Sequence, residues 1–290
     1  MIPTFDELLD RLWGYDFEVT AHDWLLVLKD YRKRKRIVFH NALPSEVQNF
    51  IDMYNPIMLG YNNNGYDKFI LKAILNYCTL EEIKDVNDYI IGGGNGWELD
   101  LGYAKIPTQV DLINCIVPRK SLKELEGNLR MNITESTVDF NIKTKWTKQE
   151  YEEMLYYCDH DVDALFPIFD MLINRFKSKY VITKLGKIDS EQGISLTDAN
   201  LTAVLLKAEK KEYDDPFLYE YPDKVEKEKI PKEALDYFDD LIEHNDLDYK
   251  IDAPCLDMKT INFQLGIGGG HAFIKEGVYR YDRGDGLKCA

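Results

Sequence analysis

The sequence predicts an α/β layer fold, and the order of three kinds of segment indicates it. Short strand-like segments come first, alternating strand-like and helix-like segments follow, and one long helical stretch comes next. This order is typical of a sheet that is covered by helices. The 290 residues are enough for one large domain or two smaller ones, each with a hydrophobic core.

Three short strands are predicted at the start of the chain. Tyr15–Val19 alternates apolar and acidic residues, Trp24–Leu28 is apolar throughout, and Ile37–Phe39 follows. Alternation with a period of two indicates a half-buried strand, and a short apolar run indicates a more deeply buried one. We interpret the basic run Arg32–Arg36 as a solvated turn rather than a phosphate-binding segment. Three strands with close turns predict an antiparallel meander.

Helices and strands are predicted to alternate after the meander. Pro44 opens a helix, because proline and an acidic residue two positions later suit a first helical turn. Ile57–Tyr61 is predicted to be a buried strand that runs into the turn-rich cluster Asn62–Gly65. The stretch from Tyr66 to Cys78 has a helical apolar face, and Gln109–Ile113 is predicted to be another strand.

Capping residues indicate two further helices. A short helix is predicted to start at Ser121. Thr147 and Glu150 form the pattern of a capping box, in which each side chain accepts a backbone N–H of the other residue. This box begins the longest helical stretch, which is predicted to continue to about Lys179.

The character of the chain changes after about residue 185. The following segment is rich in Lys, Asp, Glu and Tyr, and prolines interrupt it. We therefore predict one domain over residues 1–185 and a charged, mostly helical or irregular region over residues 186–290.

Charge and composition exclude several classes of protein. The net charge of −15 argues against non-specific binding to duplex DNA, which needs a clustered basic surface. The 5 cysteines are widely spaced without a C-x-x-C pair, so a disulfide framework and a structural zinc site are not expected. No apolar run approaches the roughly 20 residues of a membrane span, and the N-terminus does not resemble a signal peptide. We expect a cytoplasmic protein with no membrane partner.

Acidic residues occur in three predicted elements that the fold could bring close together: a strand, a strand-to-helix junction and the long helix. Asp16 and Glu18 are two residues apart in a strand, so their side chains point to the same face and can bridge a hard cation. Asp67 lies where a strand passes into a helix, the place where open α/β sheets bind ligands. Tyr157 and Asp161 share one face of the long helix. Taken singly, each position is also explained by a solvated strand edge, a helix cap or a solvated helix face.

The order of these three motifs resembles that of the DEDDy-type 3′→5′ exonucleases. A strand Asp-x-Glu, a strand-to-helix Asn-x-x-x-Tyr-Asp and a helical Tyr-x-x-x-Asp follow one another, beginning at Asp16, Asn62 and Tyr157. More closely, about residues 10–175 resemble the proofreading domain of phage-type DNA polymerases. The further stretches that carry this resemblance are Gly60-Tyr61-Asn62-Asn63, Ser121-Leu122-Lys123-Glu124-Leu125-Glu126 and Tyr157-Cys158-x-x-Asp161-Val162.

The resemblance implies an RNase H-like fold, a mixed sheet flanked by helices, and a metal-dependent phosphodiester hydrolase. It assigns the four carboxylates of Asp16, Glu18, Asp67 and Asp161 as ligands of two Mg²⁺ or Mn²⁺ ions, in keeping with the preference of these ions for oxygen. It assigns Tyr157 the task of orienting the attacking water. The tyrosine branch of the family fits better than the histidine branch, because the position of the branch-defining histidine holds Tyr156.

The resemblance also implies a substrate and a partner. The substrate is the 3′ end of DNA, single-stranded or frayed at a primer terminus, with Asn62 and Tyr66 as binding residues. The stretch from Phe263 to Phe273 resembles the glycine-rich segment that precedes the polymerase palm, but no palm motif follows. We therefore expect no polymerase activity from this chain, and expect the remainder of a polymerase as a partner, in the host cytoplasm if a phage encodes it.

Two alternatives remain open on the sequence alone. An RNase D-like exonuclease would use the same carboxylates on RNA, and no residue identifies a contact to a 2′-hydroxyl. A non-catalytic module with the same fold would bind nucleic acid or protein without cleaving it. The presence of all four carboxylates and the tyrosine favours an enzyme over such a module.

Overall fold

The computed structural model describes residues 3–208, 221, 225–244, 254–258, 261–266 and 269–274. The chain divides into two compact units, Met1–Glu209 and Lys210–Ala290. Among the described helices, none combines the length and the apolar character that crossing a lipid bilayer requires.

A five-stranded mixed sheet lies at the centre of the first unit, in the order β3-β2-β1-β4-β5. β1 (Leu12–Val19), β2 (Trp24–Asp30) and β3 (Arg36–His40) form the antiparallel meander that the sequence predicts. β4 (Ile57–Gly60) pairs parallel to β1, and β5 (Gln109–Asp111) pairs parallel to β4. The carboxyl ends of these three parallel strands therefore meet at one edge of the sheet.

Helices cover both faces of this sheet, so the predicted α/β class is confirmed. They are α1 (Phe5–Leu9), α2 (Pro44–Tyr54), α3 (Asp67–Leu75), α4 (Leu80–Ile91), α5 (Leu122–Asn128) and α6 (Lys148–Gly186). One core lies between the sheet and α6, and a second core lies between the sheet and α2, α3 and α4. In β2, Leu25 and Val27 face the first core, whereas Leu26 and Leu28 face the second, as the period of a strand requires.

The same alternation orients β1. Trp13, Tyr15 and Phe17 belong to the core on the α3 side, so the intervening residues face α6. A Cβ atom on Gly14 would lie 3.0 Å from the ring of Phe166 in α6. Glycine at this position therefore allows α6 to approach the strand closely, on the face where Asp16 and Glu18 emerge.

Several elements differ in extent from the sequence-based expectation. α6 begins at the predicted capping box, where the Thr147 side chain accepts the N–H of Glu150, but it continues beyond Lys179 to Gly186. β5 is shorter than predicted, because the Asp111 side chain accepts the N–H of Ile113 and turns the chain into a 3-10 helix. α4 was not predicted, although Thr79 and Glu82 form a capping box at its start.

The first compact unit extends past the domain boundary that the composition suggests near residue 185. α7 (Ser190–Ser195) and α8 (Asp198–Leu206) pack against the end of α6. Lys179 donates to the carbonyl oxygen of Leu196 at 2.7 Å and lies 3.3 Å from the Asp198 carboxylate. These contacts, together with buried Ile194 of α7 and Leu201 of α8, hold the two short helices to the first unit.

The second unit contains α9 (Lys232–His244) and a three-stranded antiparallel sheet. The strands are β6 (Cys255–Met258), β7 (Ile261–Gly266) and β8 (Gly269–Ile274), in the order β6-β7-β8. The expectation of a mostly helical or irregular region missed this sheet, although Ile261, Phe263 and Leu265 alternate with smaller or polar residues. The glycine-rich stretch from Phe263 to Phe273 falls in β7 and β8, except for residues 267–268, which lie outside the described residues.

Candidate active site

Asp67 joins the start of α3 to the central strand. It is the first residue of α3, and its side chain is buried. Its Oδ1 accepts a hydrogen bond from the backbone N–H of Phe17 at 3.2 Å, between the two acidic residues of β1. The carboxylate is therefore more than an exposed helix cap, because it lies inside the protein beside β1.

Asp16 and Glu18 meet Cys158 of α6 at the face where the helix covers β1. The Cys158 thiol donates to Asp16 Oδ2 at 3.5 Å, and one ligand atom from each of the three residues lies within 4.8 Å of the others. Glu18 is only 7% exposed. Among the described residues, none forms a hydrogen bond or an ion pair with its carboxylate.

Asp161 and Tyr157 lie one turn apart on α6, and Lys123 of α5 reaches both. The Lys123 ammonium lies 2.5 Å from Asp161 Oδ1 and 4.9 Å from the centre of the Tyr157 ring. Burial raises the pKa of the Tyr157 hydroxyl, and the charges of Asp161 and Glu18 raise it further. The tyrosine therefore belongs to the same group of side chains as the carboxylates.

The charges of the four carboxylates act on the pKa values within the group. Burial raises the pKa of Asp16 well above its ordinary range, and the charges of Asp67 and Asp161 raise it further. Burial, followed by the charge of Asp16, has the same effect on Glu18. Burial raises the pKa of Asp67 to about 7 against two backbone hydrogen bonds that lower it. Burial also raises the pKa of Asp161, although Lys123 opposes the shift.

This donor set suits hard divalent cations. Asp16 is half-buried and the other three residues are buried, so the four carboxylates repel one another when they are ionised, and bound cations would remove that repulsion. Burial raises the pKa of the Cys158 thiol well above its usual value, so the sulfur stays protonated and does not compete as a thiolate ligand. The remaining donors are carboxylate oxygens, which favour Mg²⁺ or Mn²⁺. The unpartnered carboxylate of Glu18 is the kind of ligand that such an ion requires. The residues present therefore fit the two ions that the sequence resemblance implies.

The two predicted substrate-binding residues lie between the end of β4 and the start of α3, in the segment that leads to Asp67. Asn62 is exposed, follows β4 and has a positive φ of 60°, and its N–H donates to Asp111 Oδ1 at 2.8 Å. Tyr66 is half-buried, and its hydroxyl donates to Asn87 Oδ1 at 2.7 Å. The Asn62 side chain is therefore accessible to a substrate. The Tyr66 hydroxyl is already bonded to Asn87, so Tyr66 could contact a substrate only through its ring.

Sequence reasoning missed two charged residues that organise the site. Lys123 lies in a stretch that carries the family resemblance, but it was not predicted as the cation beside Asp161. Asp111 accepts the N–H groups of Asn62 and Asn64 at 2.8 and 3.1 Å, and so shapes the loop that precedes Asp67. Its position at the end of β5, on the shared edge of the parallel strands, is a signal that could have identified it.

A scan against models of protein families and a search of curated proteins both found no match to this chain. The features that point to a function are therefore the order of the acidic motifs and their closeness in space.

Proposed function

We propose that the chain is a metal-dependent 3′→5′ exonuclease with an RNase H-like fold, which hydrolyses DNA from its 3′ end as the proofreading part of a phage-like DNA polymerase. The observation that carries this proposal is the convergence of Asp16, Glu18, Asp67 and Asp161. They come from β1, α3 and α6, which are distant in sequence, and they meet beside Tyr157. A solvated acidic surface would give exposed carboxylates rather than a buried group.

The four carboxylates would hold two Mg²⁺ or Mn²⁺ ions, which when bound supply charge neutralisation and a more acidic water. Tyr157 acts on the water through its hydroxyl. Because burial raises the pKa of this hydroxyl, it stays protonated at neutral pH and orients water by hydrogen bonding rather than by removing its proton. Lys123 holds the Asp161 carboxylate in place through their 2.5 Å contact.

The position of the carboxylates favours a frayed end as substrate. Asp67 is only 4% exposed, and Glu18 and Asp161 are also buried, so a paired terminus must open before its phosphate reaches them. Mismatched ends open at lower cost than matched ends. The exposed Asn62 is assigned the contact with the terminal nucleotide, and the half-buried Tyr66 ring is assigned as a stacking surface.

The polymerase part of the proposal concerns the second compact unit. We assign this unit, Lys210–Ala290, to the connection with a polymerase region, on the resemblance of the stretch from Phe263 to Phe273. Residues 186–209, which the composition grouped with it, belong to the first unit. The remainder of such a polymerase is the proposed partner, and it would deliver the primer terminus to the carboxylates.

The test is digestion of a 5′-labelled primer with a mismatched 3′ end, annealed to a longer template. We expect stepwise shortening from the 3′ end with Mg²⁺ or Mn²⁺, none with EDTA, and none from the Asp16→Asn/Glu18→Gln double variant. The Asp159→Asn variant is the matched control, because Asp159 lies on α6 but pairs with Lys29 outside the cluster.

Three outcomes of this test would contradict the proposal. Shortening of a matched single-stranded RNA without shortening of DNA would indicate an RNA exonuclease. Internal cleavage of a primer whose 3′ end is blocked would exclude an exonuclease. A folded protein that neither cleaves nor binds Mg²⁺ or Mn²⁺ at millimolar concentration would indicate a non-catalytic module.

A further inference from the structure

A second group of metal-ligating side chains adjoins the candidate active site. Glu126 of α5 and His160 and Asp161 of α6 each place one ligand atom within 4.8 Å of the other two. Only Asp161 belongs also to the four-carboxylate cluster. The group therefore adds a carboxylate and an imidazole that the proposed exonuclease mechanism does not use.

Glu126 is the observation that points to a ligand. The residue is 0% exposed, and in the described part of the chain neither oxygen of its carboxylate has a hydrogen-bond partner. The nearest cationic atoms are Lys123 Nζ, 3.5 Å from Oε2, and His160 Nε2, 3.6 Å from Oε1. Both separations exceed the usual range of a nitrogen–oxygen hydrogen bond. A buried carboxylate is costly unless it is paired or coordinates a metal.

Lys123 is shared between two carboxylates and satisfies only one of them. Its ammonium lies 2.5 Å from Asp161 but 3.5 Å from Glu126. His160 faces Glu126 while its Nε2 also lies 2.8 Å from the carbonyl oxygen of Asn132. A cation with two charges and short bonds to oxygen and nitrogen would satisfy Glu126 better than this arrangement does.

We propose that Glu126, His160 and Asp161 bind a divalent transition-metal ion of the Zn²⁺ and Co²⁺ class. One imidazole with two carboxylates is a ligand set that suits such ions better than Mg²⁺, which prefers oxygen ligands and retains its water. Binding moves the Lys123 ammonium away from Glu126. It also replaces the contact of His160 Nε2 with Asn132, so that the imidazole proton resides on Nδ1. The site goes beyond the proposed exonuclease activity and does not depend on it.

The experiment is titration of the folded protein with Co²⁺, followed by visible absorption and calorimetry. It uses the Asp16→Asn/Glu18→Gln double variant, so that the four-carboxylate cluster no longer offers its own site. We expect this protein to bind Co²⁺, and expect Glu126→Gln or His160→Gln in the same background to weaken binding at least about tenfold. Lys123→Met should tighten binding, because it removes the competing cation.

His22→Gln is the matched control, because His22 is exposed in the turn between β1 and β2. It should leave Co²⁺ binding unchanged. Co²⁺ binding that survives both Glu126→Gln and His160→Gln would overturn the proposal, and so would the absence of Co²⁺ binding in the folded double variant. The readout is metal binding by a protein that lacks Asp16 and Glu18 but keeps Asp161, the residue that the two sites share. Failure of the exonuclease proposal gives a different result, which is the absence of DNA cleavage by the wild type while Co²⁺ binding persists.

Discussion

Two sets of aspartates on α6 differ in how their charge is balanced. Asp159 and Asp163 point towards β2, where the Lys29 ammonium lies 2.7 Å from one carboxylate and 2.8 Å from the other. Arg36 adds a second cation 3.3 Å from Asp159. Asp161, between them in sequence, instead joins a cluster of four carboxylates that has Lys123 as its cation.

The comparison distinguishes aspartates whose charge is balanced within the protein from an aspartate of the proposed metal site, on one helix. Asp159 and Asp163 have as many cationic partners as they have charges, so their ion pairs are complete within the protein. The cluster around Asp161 has an excess of negative charge, and burial with mutual repulsion raises the pKa values of its members. The carboxylates of this cluster therefore repel one another, and bound cations would reduce that repulsion.

The largest effect is expected on DNA cleavage. The Asp16→Asn/Glu18→Gln double variant should lose about 10³-fold or more in rate, because losing the ligands of a catalytic ion costs several kcal/mol and each 1.36 kcal/mol is tenfold. The Asp159→Asn/Asp163→Asn double variant should keep the rate of the wild type. Primer shortening under single-turnover conditions measures both, and equal losses in the two variants would remove the distinction.

A smaller effect on the rate is expected from Tyr157→Phe. The change removes the hydroxyl that orients water and leaves the ring in place, so the rate should fall about tenfold to hundredfold, the value of one or two hydrogen bonds. The affinity for Mg²⁺ should not change, because the phenol is not a ligand. A rate equal to that of the wild type would show that Tyr157 only packs beside the carboxylates.

The order of the two double variants should be reversed for stability: Asp159→Asn/Asp163→Asn should lower the free energy of unfolding more than Asp16→Asn/Glu18→Gln. Lys29 is buried, and its side chain is only 8% exposed, so removing both partners in Asp159→Asn/Asp163→Asn leaves a charge without compensation. We expect a loss of about 1–3 kcal/mol in the free energy of unfolding, reduced by the exposure of Asp163. Asp16→Asn/Glu18→Gln should cause no such loss in metal-free buffer, since it removes repulsion. Urea denaturation in EDTA compares the two, and a lower stability of the second variant would contradict the account.

A further effect, of similar size, is expected on the pH dependence of the free energy of unfolding. Burial raises the pKa of Asp67 from 3.8 to about 7, so the folded protein holds a proton that the unfolded chain releases. The stability from this group is present below about pH 4 and is lost as the pH rises through about 7. Without metal, Asp67→Asn should reduce the fall in stability between pH 5 and 7.5, by less than about 1.4 kcal/mol per pH unit. Parallel pH profiles for the two proteins would show that Asp67 is ionised throughout.

The sequence predicted the strands of the sheet well where the local pattern of apolar residues is enough to identify a strand. Alternation predicted β1, and the apolar run from Trp24 predicted β2, because a strand must bury its apolar faces wherever its partners lie. The same local rule placed Asp16 and Glu18 on one face. α4 was missed although its capping box at Thr79 is a local signal. The sequence also placed the end of the first unit too early, for a different reason. The contacts of Lys179 with Leu196 and Asp198 join segments that are separated in sequence, so no local pattern reveals them.

The sequence predicted the acidic residues of the candidate site, but it did not predict the lysine that lies beside them. The spacing of the carboxylates suggested their roles because strand and helix geometry fixes which side chains share a face. Lys123 comes from α5, and its contact with Asp161 depends on how α5 and α6 pack. No rule of spacing places a lysine opposite an aspartate 38 residues later in the chain. The balance of charge, which distinguishes the two sets of aspartates on α6, therefore required the structure.

The most direct test is calorimetric titration with Mg²⁺ of the wild type and of the two double variants. Mg²⁺ is the suitable ion because its preference for oxygen ligands directs it to the four carboxylates rather than to a site with an imidazole. We predict that the wild type and Asp159→Asn/Asp163→Asn bind Mg²⁺ with similar affinity, and that Asp16→Asn/Glu18→Gln loses the binding. Equal Mg²⁺ binding by all three proteins, or none by the folded wild type, would contradict the claim that the unbalanced cluster is a metal site.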